Sequence, residues 1–272
     1  MKNYAYITVL TNTKYIPGVR ALAKSLKEVK SQYPLYVLIP EDREDILIEF
    51  SETDKRLIGE DKIIRQPNIK VPSTMEESDS YWKYTFFKLQ SVRCTQFEKI
   101  ILLDSDMLIQ NNIDNLFNCY HYSAAVAGHT RVKEWVMLNS GLMVMEPSDD
   151  FADKLIELIP QTVERRKKEG LNSGDQDVFQ EAFPRWKENK ELLLDETYNC
   201  FFSDVSYVIK EYKCRVRDIS VIHFIGSKKP WMYSTKEMIK IIAKDYVKNP
   251  LIAGKKNRIL SKYIRYTKEN IV

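Results

Sequence analysis

Apolar residues in this chain recur in two rhythms that alternate from the amino terminus. Tyr4 to Leu10 is rich in β-branched and aromatic residues and reads as a strand; beyond Thr11-Asn12, the positions Val19, Leu22, Ala23 and Leu26 share one helical face. Leu35-Tyr-Val-Leu-Ile39 predicts a second strand, Asp45 to Phe50 a second helical stretch and Lys62-Ile-Ile-Arg65 a short third strand. Tyr84 to Cys94 reads as a helix leading into Lys99-Ile-Ile-Leu-Leu103, a continuous apolar run of the kind buried in parallel sheets. Ala124 to Ala127 and Leu142 to Met145 predict further strands. A long helix is expected from about Phe151 to Lys168, with Leu155, Leu158, Ile159 and Val163 facing inward. Strands that alternate with helices in this way imply an α/β protein, its mostly parallel sheet covered on both faces.

Composition allows this architecture and narrows the setting. A chain of 272 residues, 44% hydrophobic and 29% charged, can bury one large core and gives no sign of disorder. The start of the chain enters a strand at once, so no secretory leader is expected, and no stretch approaches the roughly 20 apolar residues needed to span a bilayer. A cytoplasmic location is the expectation. Cys94, Cys119, Cys200 and Cys214 never form Cys-x-x-Cys, which points to reduced thiols and away from a zinc module.

The charge is unevenly placed. Ser234 to Val272 holds ten Lys/Arg against three Asp/Glu, while the whole chain carries +4. Lys236, Lys240, Lys244 and Lys248 repeat every fourth residue beside Ile239, Ile242 and Tyr246, which predicts a basic amphipathic helix. Such a helix either packs on the domain by its apolar stripe or meets a membrane surface. Nucleic acid is not an expected partner, because no recognition module accompanies the charge.

Candidate chemistry begins where the apolar run stops. Asp104-Ser105-Asp106 places two carboxylates at the carboxyl end of a predicted parallel strand, where open α/β sheets bind ligands. Alternate acids there suit a hard divalent cation, although two solvated turn residues would look the same. His223, in the strand Ser220-Val-Ile-His-Phe224, offers an imidazole as a further ligand or is a satisfied core histidine. Gly226 and Lys229 follow in His223-Phe-Ile-Gly-Ser-Lys-Lys-Pro-Trp231 and could accept a diphosphate. The two segments together read as a metal-diphosphate site.

Those segments, with Lys88-Leu89, Asn111-Asn-Ile-Asp-Asn-Leu-Phe117, Asn139-Ser-Gly141 and Gly174-Asp-Gln176, resemble glycosyltransferase family 8 on its glycogenin and galactinol synthase branch. The resemblance runs from about residue 4 to 231. It implies a GT-A (Rossmann-like) single domain with a mixed, mostly parallel sheet flanked by helices, over residues 1–233, and leaves 234–272 as a basic helical extension. By the same resemblance, Asp104, Asp106 and His223 are metal ligands for Mn²⁺, with Mg²⁺ as the alternative. Val9, Leu10, Thr11, Asn12 and Tyr15 match the uridine loop. Lys88, Ser105, Asn139, Ser140, Gly141, Gly226 and Lys229 match further nucleotide-sugar contacts. Asp175, Gln176 and Lys229 match the positions around the reacting bond.

The implied reaction is retaining transfer of a hexose from UDP-glucose or UDP-galactose to an acceptor glycan, lipid or protein. A homodimer and a membrane contact through the basic helix are further partner expectations. Asn172 stands where the resemblance places an acid. The self-acceptor tyrosine of glycogenins falls on Ser206, beside Tyr207. If that segment is a strand, Tyr207 faces away from the donor, so a separate acceptor is expected.

Overall fold

The computed structural model describes residues 2–72 and 81–269. Residues 1 and 270–272, the outer ends of the two expected segments, lie outside the described residues. Strands β1 (Tyr4–Val9), β2 (Leu35–Pro40), β3 (Ile63–Gln66), β4 (Lys99–Leu103), β5 (Met107–Ile109), β6 (Ser123–Ala125), β7 (Leu142–Met145), β8 (Leu193–Leu194), β9 (Cys200–Phe201) and β10 (Val221–His223) form two sheets. The larger runs β3-β2-β1-β4-β7-β6-β8 and the smaller β5-β10-β9. The first four strands pair in parallel, as the alternation predicts. By contrast, β7 runs antiparallel to β4 and β6 antiparallel to β7. That reversal sets Leu142 opposite Leu103 and carries Asn139-Ser140-Gly141 to the mouth of β4.

Helices cover both faces. α1 (Ile16–Glu28), α2 (Glu44–Glu49) and α3 (Glu52–Ile58) lie on one side, where Val19, Leu22, Leu26 and Ile46 meet the sheet. The other side carries α4 (Asp149–Glu157), α5 (Ile159–Lys168), α6 (Asp175–Ala182) and a segment from Tyr81 to Arg93. The single helix expected from Phe151 to Lys168 is two, divided at Leu158. Pro160 has no N–H to continue the first helix and suits the first turn of a new one. Leu155, Ile159 and Val163 are buried as expected, while Leu158 is only half-buried.

Tyr81–Arg93 is wound as a 3-10 helix along its whole length, where the sequence reading expects an ordinary helix from Tyr84. Three residues per turn align side chains at i and i+3. Phe86, Leu89 and Val92 accordingly make one fully buried line, and Thr85 and Lys88 share another that faces the β4 mouth. The spacing of three between Phe86, Leu89 and Val92 suits the tighter winding.

The carboxyl-terminal portion holds α7 (Val205–Glu211), α8 (Thr235–Lys248) and α9 (Pro250–Thr267). α9 falls within the helical extension expected over 234–272, though without a face assigned to it, and is the better buried of the last two: Ile259, Leu260 and Tyr263 pack against the small sheet and α1. Arg20 of α1, 5% exposed, grips Asp54 through Nε and Nη2 at 2.5 and 2.6 Å and donates to the Thr267 carbonyl at 2.6 Å. In α8 the expected stripe of Ile239, Ile242 and Tyr246 is largely turned outward, with Ile239 61% and Tyr246 52% exposed. Met238 and Ile241 pack inward instead. Among the described residues, no helix is long and apolar enough to cross a membrane.

Candidate active site

Parallel pairing places the ends of β1 and β4 side by side, Thr8 opposite Leu103, so the loops after them share one edge. β10 reaches the same edge from the other sheet. Its antiparallel register sets His223 opposite Met107, and Phe224 donates its backbone N–H to the Asp106 carbonyl at 3.0 Å. His223 Nε2 then lies 3.2 Å from Asp106 Oδ1 and 3.6 Å from Asp104 Oδ2. One ligand atom from each of the three residues falls within 4.8 Å of the others.

The imidazole is oriented from behind. His223 Nδ1 stands 2.9 Å from Oδ1 of Asn199, an amide oxygen that can only accept, so Nδ1 donates there and Nε2 is the ring nitrogen turned to the carboxylates. Asn199, fully buried, passes its own Nδ2–H to Asn139 Oδ1 at 2.8 Å, and that oxygen also accepts from Gly141 N at 2.9 Å. A side chain at Gly141 is excluded, because a Cβ there would meet His223 Cε1 at 2.7 Å, Asn139 Oδ1 at 2.8 Å and Asp104 Oδ2 at 3.0 Å. Two carboxylates and an imidazole nitrogen turned toward them fit a divalent cation.

Two lysines flank this trio. Lys88 Nζ bridges Asp104 Oδ1 at 2.7 Å and Asp175 Oδ2 at 2.8 Å. Burial works against its charge, but Asp104 and Asp175 more than reverse that and raise its pKa. Ser140 Oγ also donates to Asp175 Oδ2, at 2.7 Å, and Gln176 Oε1 accepts from Ser140 N at 3.3 Å. On the other side Lys229, 5% exposed, donates to Asp106 Oδ2 at 2.5 Å and to the Phe224 carbonyl at 3.2 Å. Burial pushes the Asp106 carboxyl up, yet His223 and Lys229 together hold it well below the ordinary carboxylate range.

Lys229 also lies over the Tyr15 ring, 5.7 Å from its centre, and Tyr15 meets Trp231 edge-on. Trp231 donates Nε1–H to the Lys14 carbonyl at 3.1 Å, tying the late motif to the first loop. In that loop, Leu10 is anchored by its N–H to the Leu38 carbonyl at 2.9 Å, and Asn12 caps the turn by accepting from Lys14 N at 2.9 Å. Thr11 offers its carbonyl to Arg43. Val9 and Ser105 are packed beneath the same rim. Gly226 adopts φ +106° with no atom within 4 Å of a would-be Cβ, a backbone shape natural to glycine and open to a ligand.

Asp104, Asp106 and His223 thus meet at one edge, with Lys88 and Lys229 beside them. Asn199 was missed, since nothing in Tyr198-Asn199-Cys200 signals a role. Asp177 serves the helix start, accepting from Gly174 N at 3.0 Å and pairing with Arg166 at 3.1 Å. Ser206 and Tyr207 lie on α7, not on a strand, so the expected reversal of faces does not apply. Both line one cleft together with His223.

Comparison with known proteins agrees with this geometry. Residues 6–235 match the family described as Glycosyl transferase family 8. The chain belongs to glycosyltransferase family 8. Inositol phosphorylceramide glucuronosyltransferase 1 of Arabidopsis thaliana is 25% identical over 257 residues, 87% of this chain and 44% of that protein. Glycogenin-1 of Mus musculus is 24% identical over 255 residues, 89% of this chain and 69% of that protein. The glycosyltransferase GlyE of Streptococcus pneumoniae TIGR4 superposes with a TM-score of 0.55 at 19% identity, covering 97% of this chain and 64% of that one. The family 8 chain spans between a third and a half of the length of the plant glucuronosyltransferases it matches. Its fold is GT-A, a single domain around a mixed, mostly parallel sheet.

Proposed function

We propose that this family 8 chain transfers a hexose, glucose or galactose, from a UDP-sugar to a separate acceptor with retention of anomeric configuration. The observation that carries the reading is the convergence of Asp104, Asp106 and His223, within 4.8 Å, between a buried Lys229 and a partly buried Lys88. Asp104, Asp106 and His223 would hold Mn²⁺, a ligand mixture that favours it over Mg²⁺. When bound, the cation supplies positive charge against the leaving diphosphate.

The chain's own groups do the rest. Lys229 and the open backbone at Gly226 receive the diphosphate, and the loop from Leu10 to Tyr15 seats the uridine. Asp175 is held by Lys88 and Ser140, which aims it at sugar hydroxyls and leaves it poorly placed as a nucleophile. Gln176, a carboxamide, is a weak nucleophile too. Substitution on one face through a short-lived oxocarbenium-like pair accounts for retention without a covalent glycosyl-enzyme.

The test is a panel of UDP-glucose, UDP-galactose and UDP-glucuronic acid, the last because one relative is named a glucuronosyltransferase. UDP release that requires Mn²⁺ and is lost on chelation supports the reading. Absence of turnover and of metal-dependent UDP binding would refute it. Self-transfer is a second reading, favoured by the exposure of Tyr207 on the cleft that His223 borders. It predicts hexose-mass additions on the intact protein that disappear in Tyr207→Phe.

A further inference from the structure

A cleft of about 850 Å³ that His223 helps to line opens between α7, α8 and α9. Its volume suits a ligand larger than one sugar ring. Phe202, Phe224, Ile225, Ile241 and Leu260 supply apolar wall, and His223 marks the end that touches the metal cluster. The charges on the wall are unbalanced. Arg131, Lys210, Lys244, Lys248 and Lys256 face it against only two acids, Asp204 and Asp245.

Those two acids are already engaged. Asp204, 1% exposed, pairs with Arg131 at 2.8 Å, and Asp245 pairs with Lys256 at 2.8 Å. Among the described residues Lys210, Lys244 and Lys248 make no ion pair, and all three are exposed. Lys244 and Lys248 are one turn apart on α8 and lie side by side. Lys210 comes to the same space from α7. Like charges gathered on a concave wall focus their field into it, which favours an anionic occupant.

We propose that this cleft receives the acceptor and that the acceptor carries a phosphate or carboxylate, which Lys210, Lys244 and Lys248 hold while a hydroxyl faces the donor sugar beside His223. The proposal rests on the glycosyltransferase reading for the hydroxyl. The anion contact stands on the cleft alone.

Two pairs of probes test it: glucose 6-phosphate against glucose, and vesicles of phosphatidylglycerol against phosphatidylcholine. Calorimetry in EDTA should show binding of at least one anionic probe, weakened by added salt, and no binding of its neutral counterpart. The substitutions Lys210→Ala, Lys244→Glu and Lys248→Glu, combined, should lower that affinity at least tenfold, and lysine-to-arginine versions should retain it. UDP affinity with Mn²⁺ serves as the folding control and should stay within twofold. With donor and Mn²⁺ present, the anionic probe that binds should raise UDP release at least tenfold over its neutral counterpart. Which pair responds tells a soluble phosphorylated sugar from a lipid headgroup. Equal binding of both members of each pair, or unaltered anion binding in the triple variant, overturns the proposal. Anion binding through these lysines without any UDP-sugar turnover would instead sink the glycosyltransferase reading and leave the anion site in place.

Discussion

His223 and Asn199 share a 2.9 Å hydrogen bond that settles which imidazole nitrogen faces the carboxylates. Asn199→Ala should therefore weaken Mn²⁺-dependent UDP binding roughly 10- to 100-fold, the usual effect of losing the group that orients a ligating histidine. Calorimetry with Mn²⁺ and with EDTA gives the measurement. An affinity difference equal to that of the unaltered chain would show that Asn199 only fills space.

Lys229 is buried against Asp106, so its removal should act on both turnover and stability. Lys229→Ala is expected to lower UDP-sugar turnover roughly 10²-fold, as expected for losing one preorganised charge at a developing anion. It also leaves Asp106 buried with His223 as its remaining partner, at a cost of up to about 3 kcal/mol in urea unfolding. Mn²⁺ should recover much of that loss by taking over the charge of Asp106. Near-normal turnover would remove Lys229 from the diphosphate site.

Gly141→Ala tests the closeness of packing around the cluster. A methyl group 2.7 Å from His223 Cε1 must push the ring, the Asn139 amide or Asp104 aside. Metal-dependent UDP affinity should fall at least tenfold while far-ultraviolet circular dichroism is kept. Gly226→Ala, where the space is open, should instead leave the cluster undisturbed, cost about 1 kcal/mol in stability through its backbone shape and weaken UDP equally with Mn²⁺ and with EDTA by standing where the diphosphate approaches. Equal effects of the two changes on UDP binding would contradict this distinction.

Asp114, in the Asn111 to Phe117 segment, has a structural part. Its carboxylate accepts from Tyr6 Oη and Ser31 Oγ at 2.7 Å, Gln32 N at 2.9 Å and Asn112 Nδ2 at 3.1 Å. Partial burial raises its pKa, but these donors outweigh that and bring it below the ordinary 3.8. A depressed folded value means the contribution is complete above about pH 4 and is lost as pH falls through that folded value. Asp114→Ala should destabilise the chain by about 1–3 kcal/mol at neutral pH and flatten the acid side of its stability curve. An unchanged acid limb in urea titrations at several pH values would count against it.

Arg20 ties the first helix to α3 through Asp54 and to the end of the last helix through the Thr267 carbonyl. Asp54→Ala strands a buried guanidinium and should cost about 3–5 kcal/mol, whereas Glu269→Ala, removing a 3.4 Å contact from an exposed partner, should cost under about 1 kcal/mol. A similar loss in the two variants would show that the buried pair has no special weight.

The sequence alone determined the alternation of strands and helices, the acids that end β4 and the late His223 to Trp231 segment. Each is written in neighbouring residues: a period of two or of 3.6, an abrupt change from apolar to charged, a motif a few residues long. Tertiary structure decided whatever depends on how distant segments meet. The direction of β7 follows from pairing with β4, and only that pairing brings Gly141 to Asp104. The burial of Lys229, an apparent surface lysine in Ser-Lys-Lys-Pro, follows from the approach of Asp106 across 123 positions. The role of Asn199 depends on contacts 24 and 60 positions away, to His223 and Asn139. The inward face of α8 was misread by part of a turn and α9, inside the expected helical extension, was given no face, because both helices are basic and their orientation is set by the small sheet and α1 beneath them. Local spacing records which face of an element is apolar; it holds no record of the partner that face will meet.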